Sequence, residues 1–215
     1  MNKINYQKIL DDKLKDISEG GVRPKLLLHA CCAPCSSYVI EYLSRFFEIT
    51  LYFYNPNIFP SEEYAFRAEE LARLVSEMPS AEGAVIKLES YNSDEFYNAI
   101  RGKEEMAEGG ERCKICYKLR LERTARYASE NGFDCFCTTL SISPYKNSVW
   151  LNEIGEELSK KYEVEYLLSD FKKKNGYKRS CELSDEYRLY RQDYCGCEFS
   201  ANEAQKRKAA DKKDL

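Results

Sequence analysis

The sequence predicts an α/β protein: a Rossmann-like three-layer sandwich on a parallel sheet, followed by a small Cys-containing helical appendage. Three observations carry this. Short apolar runs of strand length alternate with longer segments of helical period, the order that builds a parallel sheet. Glycine and proline punctuate the joints between those segments. The length of 215 residues suits one such domain with a minor addition.

Residues 1–24 form a polar amphipathic lead-in that ends at Gly20-Gly21 and Pro24. "KLLLHA" (25–30) has the length and apolarity of a buried strand. From Ser36, "SSYVIEYLSRF" spaces Val39, Leu43 and Phe46 at helical intervals. "FEITLYFYNPNIFP" reads as a second strand entering a Pro-punctuated loop. Ser61 is placed to cap the next helix, with Glu62 and Glu63 in its first turn and Tyr64, Ala68, Leu71 and Val75 on one face. "GAVIKLESY" (83–91) is a third strand candidate. A long, mostly helical region follows, broken at Gly109-Gly110, resumed by "ERCKICYKLRLERTARYASENG" and closed by Gly132. "FDCFCTTL" (133–140) is β-prone, "SISPYKNS" a loop, "VWLNEIGEELSKKY" a helix and "VEYLL" (164–168) a fifth strand. The α/β core thus spans 25–168, the appendage 169–200, and a charged tail, expected to be mobile, 201–215. In such a sheet ligands bind at the carboxyl ends of the strands.

No apolar stretch approaches the roughly 20 residues of a membrane helix, and the charged N-terminus lacks a signal-peptide core. A cytoplasmic location, without membrane partners, is therefore expected. In that reducing compartment, ten cysteines read as metal binding or redox chemistry before structural disulfides. The formal net charge of −3 excludes an indiscriminate polyanion binder but not a local basic patch.

Cys31, Cys32 and Cys35 fall where the first strand hands over to a helix. The positive end of a helix dipole favours thiolate, the form that binds metal. Buried small apolar residues are the plain alternative, but three so close together match core usage poorly. Cys113 and Cys116 form a CxxC whose spacing puts both sulfurs on one helix face. Two distant thiol pairs suit a structural zinc or a [4Fe–4S] cluster. Spacing alone does not choose between them, although the surplus sulfur tilts toward iron–sulfur.

Cys195-Gly-Cys197 closes a disulfide only through a tight bend, and a strained disulfide is easily reduced. The pair suits electron transfer, with metal ligation as the alternative. Cys135 and Cys137 alternate in an apolar run and read as core; Cys181 has no assignment. His29, the single histidine, lines the site or satisfies itself in the core. Over residues 171–191, seven basic and three acidic side chains leave a local +4. Lys172, Lys173, Lys174, Lys178 and Arg179, with Tyr177, Tyr187, Tyr190 and Tyr194, are candidates to hold a phosphate backbone and stack an unpaired base. A solvated surface explains the same charges.

Taken together, "LLLHACCAPCSSYVIEYL", "YNPNIFPSEEYAFR", "ERCKICYKLRLERTARYA", "TTLSISPYKN" and "YRQDYCGCEFS" resemble the epoxyqueuosine reductases of the QueH type, from about residue 24 to 200. The resemblance implies two-electron reduction of epoxyqueuosine to queuosine at the tRNA wobble position. It implies a [4Fe–4S] cluster on Cys31, Cys32, Cys113 and Cys116 and a redox-active pair at Cys195 and Cys197. It also implies room for one additional mononuclear iron, with Cys35 as candidate ligand. Partners would be the tRNAs for Asp, Asn, His and Tyr and an unidentified reductant. The rival readings are a thioredoxin-like thiol–disulfide oxidoreductase built on "CAPC" (32–35) and a zinc-stabilised RNA-binding domain.

Overall fold

A computed structural model describes residues 4–211; the outer ends of the expected lead-in and tail, 1–3 and 212–215, lie outside the described residues. Helix α1 (Tyr6–Gly20) opens under the Asn5 side chain, which accepts from the Lys8 amide at 3.1 Å. It buries Leu10 and Leu14 and exposes its charged face. Strand β1 (Lys25–His29) leads into α2 (Ala33–Leu43), and β2 (Glu48–Phe53) into α3 (Ser61–Glu77). β3 (Val85–Leu88) precedes a short α4 (Asp94–Ala99), a run of turns, and the long α5 (Glu111–Glu130). β4 (Cys135–Thr138), α6 (Ser148–Tyr162), β5 (Glu165–Tyr166), α7 (Gly176–Glu186) and α8 (Glu198–Asp211) complete the chain.

All five strands are parallel, in the order β3-β2-β1-β4-β5. The predicted α/β sandwich is therefore the fold. One face of the sheet, with Leu26, Leu28, Cys135 and Cys137, packs on α1, α2, α3 and α7. The other face, with Leu27, Tyr52 and Phe136, packs on α5 and α6. Cys135 and Cys137 share one side of β4 as core residues, as their alternation predicts. At Gly155 of α6, an added Cβ would sit 2.3 Å from the Tyr166 ring, so only glycine allows helix and strand to approach so closely.

Two expectations need correction. Ser61 is the first residue of α3, not its cap; the cap is Pro60, which offers no side-chain acceptor, and Ser61 Oγ donates to Glu62 instead. The fifth strand closes after two residues because Leu167 and Leu168 already turn away toward Ser169, whose amide bonds Asn152. Residues 201–211 are helical, with Ala204 buried against the body. The appendage shares the main core, since Phe171, Leu183 and Leu189 belong to the same apolar cluster as β1 and α2.

The strand order fixes the site. After β3 the chain returns across the sheet to place β4 on the free side of β1. Connections leave the carboxyl ends of β1 and β4 in opposite directions, opening a crevice between them.

Candidate functional site: a sulfur-lined cavity at the switch point

β1 delivers Cys31 and Cys32 to that crevice. Cys32 is the N-cap of α2, Pro34 sits in its first turn, and Cys35 follows. The three Sγ atoms lie within 4.8 Å of one another, with Cys31 and Cys32 at 3.7 Å. Hydrogen bonding from its two neighbours holds the Cys31 thiol well below the ordinary thiol range. The same contacts with Cys31 push Cys32 up to about 11 and Cys35 up as well. Within the triad the thiolate form is thus favoured at Cys31 over its two neighbours.

The first turn of α5 supplies the CxxC. Cys113 belongs to the same apolar cluster as Cys31 and Cys32, while Cys116 belongs to that of Cys195 and Cys197. The Gly109 amide donates to Cys113 Sγ at 3.2 Å, and burial pushes both thiols up. Among the described residues, no group of three containing Cys113 or Cys116 meets the 4.8 Å spacing of the first triad.

Cys195 and Cys197 stand 3.6 Å apart, Sγ to Sγ. Gly196 between them has φ +119°, open to glycine alone, and its carbonyl accepts from the Phe59 amide at 2.8 Å. The Ser200 hydroxyl accepts from the Cys195 amide at 3.0 Å, and the Ser200 amide points at Cys197 Sγ at 3.4 Å. The Cys197 thiol, donating to its partner, and the facing Lys146 hold Cys195 well below the usual thiol value; Cys197 is pushed up by that bond. The pair is asymmetric: Cys195 is shifted toward thiolate and Cys197 toward thiol.

A cavity of about 860 Å³ joins the sets, lined by Cys31, Cys32, Cys35 and Cys195. A narrower recess beside it is lined by Cys113, Cys116, Cys195 and Cys197. The larger volume is that of a small-molecule or nucleoside site. Tyr177 and Tyr194 stand in its wall, whereas Tyr187 and Tyr190 face a separate groove.

The profile of the family described as "Epoxyqueuosine reductase QueH" matches residues 26–203, a span that contains all ten cysteines. A Streptococcus pyogenes (serotype M1) protein of that name is 47% identical over 93% of this chain and 79% of its own. The Staphylococcus epidermidis protein is 43% identical, covering 93% and 85%, and the Thermotoga maritima protein 34%, covering 86% and 94%. The chain belongs to the epoxyqueuosine reductase QueH family.

In this QueH chain the sulfurs are ringed by buried cations that periodicity alone concealed. Arg67, Arg112 and Arg120 are each 3% exposed or less. Arg67 Nε bonds Glu63 at 2.7 Å, Nη1 reaches the Cys195 carbonyl at 3.5 Å, and Nη2 has no partner. Arg120 donates to the Cys116 carbonyl at 3.3 Å and has no carboxylate within 4.0 Å among the described residues; the ionisable groups facing it are Cys116, Cys31, Cys195 and Tyr117. Buried charge requires an opposite charge nearby, so these arginines match a QueH site that is anionic. The signal was present in the sequence: Arg67 and Arg120 occupy apolar-face positions of α3 and α5.

His29 is settled as a core residue. Its Nε2 donates to the Tyr54 carbonyl at 3.1 Å, so Nδ1 is the acceptor for the Thr138 hydroxyl at 3.0 Å. Burial drops its pKa to about 4. Cys181 lies half-exposed on α7, away from the other sulfurs' cavity lining. Of the basic stretch, Lys172 pairs with Asp170 at 2.5 Å, Lys174 with Asp11 at 2.5 Å, and Lys178 with Glu182 at 3.9 Å. Arg179 bonds Glu41 through both Nε and Nη2. The cations that line the cavity are instead Lys146, Arg191, Arg207 and Lys208.

Proposed function

We propose that this chain reduces epoxyqueuosine to queuosine at the wobble base of tRNA, with a [4Fe–4S] cluster on Cys31, Cys32, Cys113 and Cys116 and a redox dithiol at Cys195 and Cys197. The observation that carries this reading is the meeting of the sulfur sets around one cavity and the recess beside it: Cys31, Cys32, Cys35 and Cys195 line the first, and Cys113, Cys116, Cys195 and Cys197 the second. The donor set fits such a cluster. It is sulfur alone, from two elements, and Arg120 supplies buried positive charge that thiolate-bound metal would balance. When bound, an iron–sulfur cluster supplies electrons singly.

The residues do the rest. The cavity admits an unpaired anticodon-loop base without melting a duplex. Gly196 and the Phe59 amide hold the dithiol turn against its wall. Cys195 faces the substrate space while Cys197 lies behind it, 4% exposed. A thioredoxin-like reading leaves Cys113 and Cys116 without a task.

The spacing within Cys31, Cys32 and Cys35 supports a further site for one metal ion. Cys35 Sγ lies within 4.8 Å of Cys31 and Cys32, which hold the cluster in this reading, so Cys35 is the thiol left beside them to take a separate ion. This fits the additional mononuclear iron, with Cys35 as its candidate ligand. No described helix is long and apolar enough to cross a membrane, and we assign the chain to the cytoplasm, where the queuosine-accepting Asp, Asn, His and Tyr tRNAs and a reductant are both at hand.

The test is anaerobic purification, iron and sulfide analysis, and turnover of epoxyqueuosine-containing tRNA. About four iron and four sulfide per chain is the expectation, and about five iron when the further site is filled; stoichiometric zinc without sulfide would favour the zinc-domain reading.

For the RNA, we propose that Arg191 and Arg207 at the cavity rim carry more of the phosphate binding than Lys172, Lys173, Lys174, Lys178 and Arg179, which are largely engaged with carboxylates. Arg191→Glu with Arg207→Glu is expected to weaken tRNA binding at least tenfold at low salt. It should also flatten the salt dependence by about one unit per lost phosphate contact. The Lys172→Glu, Lys173→Glu, Lys174→Glu variant should show a smaller loss in the same titration; equal losses would return the basic stretch to first rank.

A further inference from the structure

One cation at the meeting point of the sulfur sets has no carboxylate partner. Lys146 closes the "SPYK" turn, where its amide bonds the Ser143 carbonyl at 3.2 Å. It directly precedes Asn147, whose side chain caps α6 by accepting from the Val149 and Trp150 amides. Its backbone is thus fixed from both sides. Its side chain lines both the wide cavity and the narrow recess, and among the described residues only it, Tyr145, Cys195, Glu108 and Gly109 do so. No carboxylate lies within 4.0 Å of its ammonium among the described residues. The ionisable groups that face it are Cys195, Tyr117, Arg120 and Cys31, with Cys113, Cys116 and Glu108 beyond.

We infer that Lys146 is a catalytic residue: its ammonium hydrogen-bonds the epoxide oxygen of the bound nucleoside and protonates that oxygen as it departs. This rests on the reduction proposed above. An oxygen expelled without a proton is a strong base and a poor leaving group, and a positioned acid contributes about 10²- to 10⁴-fold. A lysine ammonium is compact and carries three donors, so it can keep one on the oxygen while the carbon skeleton moves. Burial draws the amine down, but the facing Cys195, Tyr117 and Cys31 together outweigh it and raise the ammonium above the ordinary lysine value.

The step balances. Both C–O bonds of the epoxide break, the carbon–carbon double bond forms, and the oxygen leaves as water. The electron pair comes from the dithiol as the Cys195–Cys197 S–S bond forms. One proton comes from the Lys146 ammonium and the other from the Cys197 thiol. The thiolate and ammonium begin as an ion pair and end as disulfide and neutral amine. External reductant then returns two electrons and two protons.

The experiment compares Lys146→Met and Lys146→Arg with the wild-type full chain, loaded with iron. It reads single-turnover reduction, tRNA affinity, iron content, and the rate at which iodoacetamide alkylates Cys195 at pH 7. The Met variant should lose about 10²- to 10⁴-fold in single turnover with iron and tRNA affinity unchanged, and its Cys195 should alkylate several-fold more slowly. The Arg variant, which keeps charge but does not release a proton, should restore alkylation and leave turnover low. Turnover by the Met variant within threefold of wild type overturns the inference. So does full turnover by the Arg variant, or a loss of turnover matched by loss of iron or of tRNA binding. A wild-type chain that fails to reduce the nucleoside would instead strike at the proposed reaction.

Discussion

Cys195→Ser or Cys197→Ser should abolish multiple turnover, by more than about 10³-fold, while iron, sulfide and the visible absorbance of the protein stay at wild-type levels. Two sulfurs that exchange an electron pair act as a unit, so removing either costs about as much as removing both. The 3.6 Å separation needs little movement to close. Serine is close to cysteine in size and Ser200 continues to hold the turn, so folding should persist. Spectra and turnover on the same sample decide the matter. If either serine variant loses iron, the pair are ligands and the dithiol role is wrong.

Cys113→Ser or Cys116→Ser should do the reverse, reducing bound iron and sulfide to background. Arg120 adds a second expected effect. With no carboxylate beside it, it depends on the surrounding sulfur charge, and a buried charge stripped of its partner costs about 3 kcal/mol or more. For a chain of this size that is a fall in Tm of roughly 10 °C, readable by calorimetry under argon. Cys137→Ala makes the control: Cys137 is fully buried in β4 on the far face of the sheet, so iron should be retained. Full iron in the Cys113 and Cys116 variants would sink the assignment.

The sheet was readable because each strand is a short, nearly continuous apolar run, the pattern of a sheet covered on both faces. Val85 and Leu88 of the edge strand β3 remain well exposed, yet the run still declared itself. The cysteine sets were readable for a different reason: each falls within a few residues of chain at the start of a helix, and such spacing is local. What escaped was long-range. That Lys174 meets Asp11 and Arg179 meets Glu41 depends on α7 docking over α1 and α2, which no local pattern records. Lys146 looked like one loop lysine among many because its value lies in what three other elements bring beside it. Arg67 and Arg120 broke the apolar period, and a cation at a core position is itself a sign of buried anions.

The Cys195-Gly-Cys197 turn is pinned by the Phe59 amide and underlain by Arg67, so its sulfurs do not swing out on an arm to meet a donor. On the proposed reading the anticodon fills the cavity that exposes Cys195, and whatever recharges the pair must enter by the same way. Visits therefore alternate, RNA leaving before the donor enters, and steady-state rates should trace the parallel lines of a ping-pong cycle, with excess tRNA competing against its own reductant.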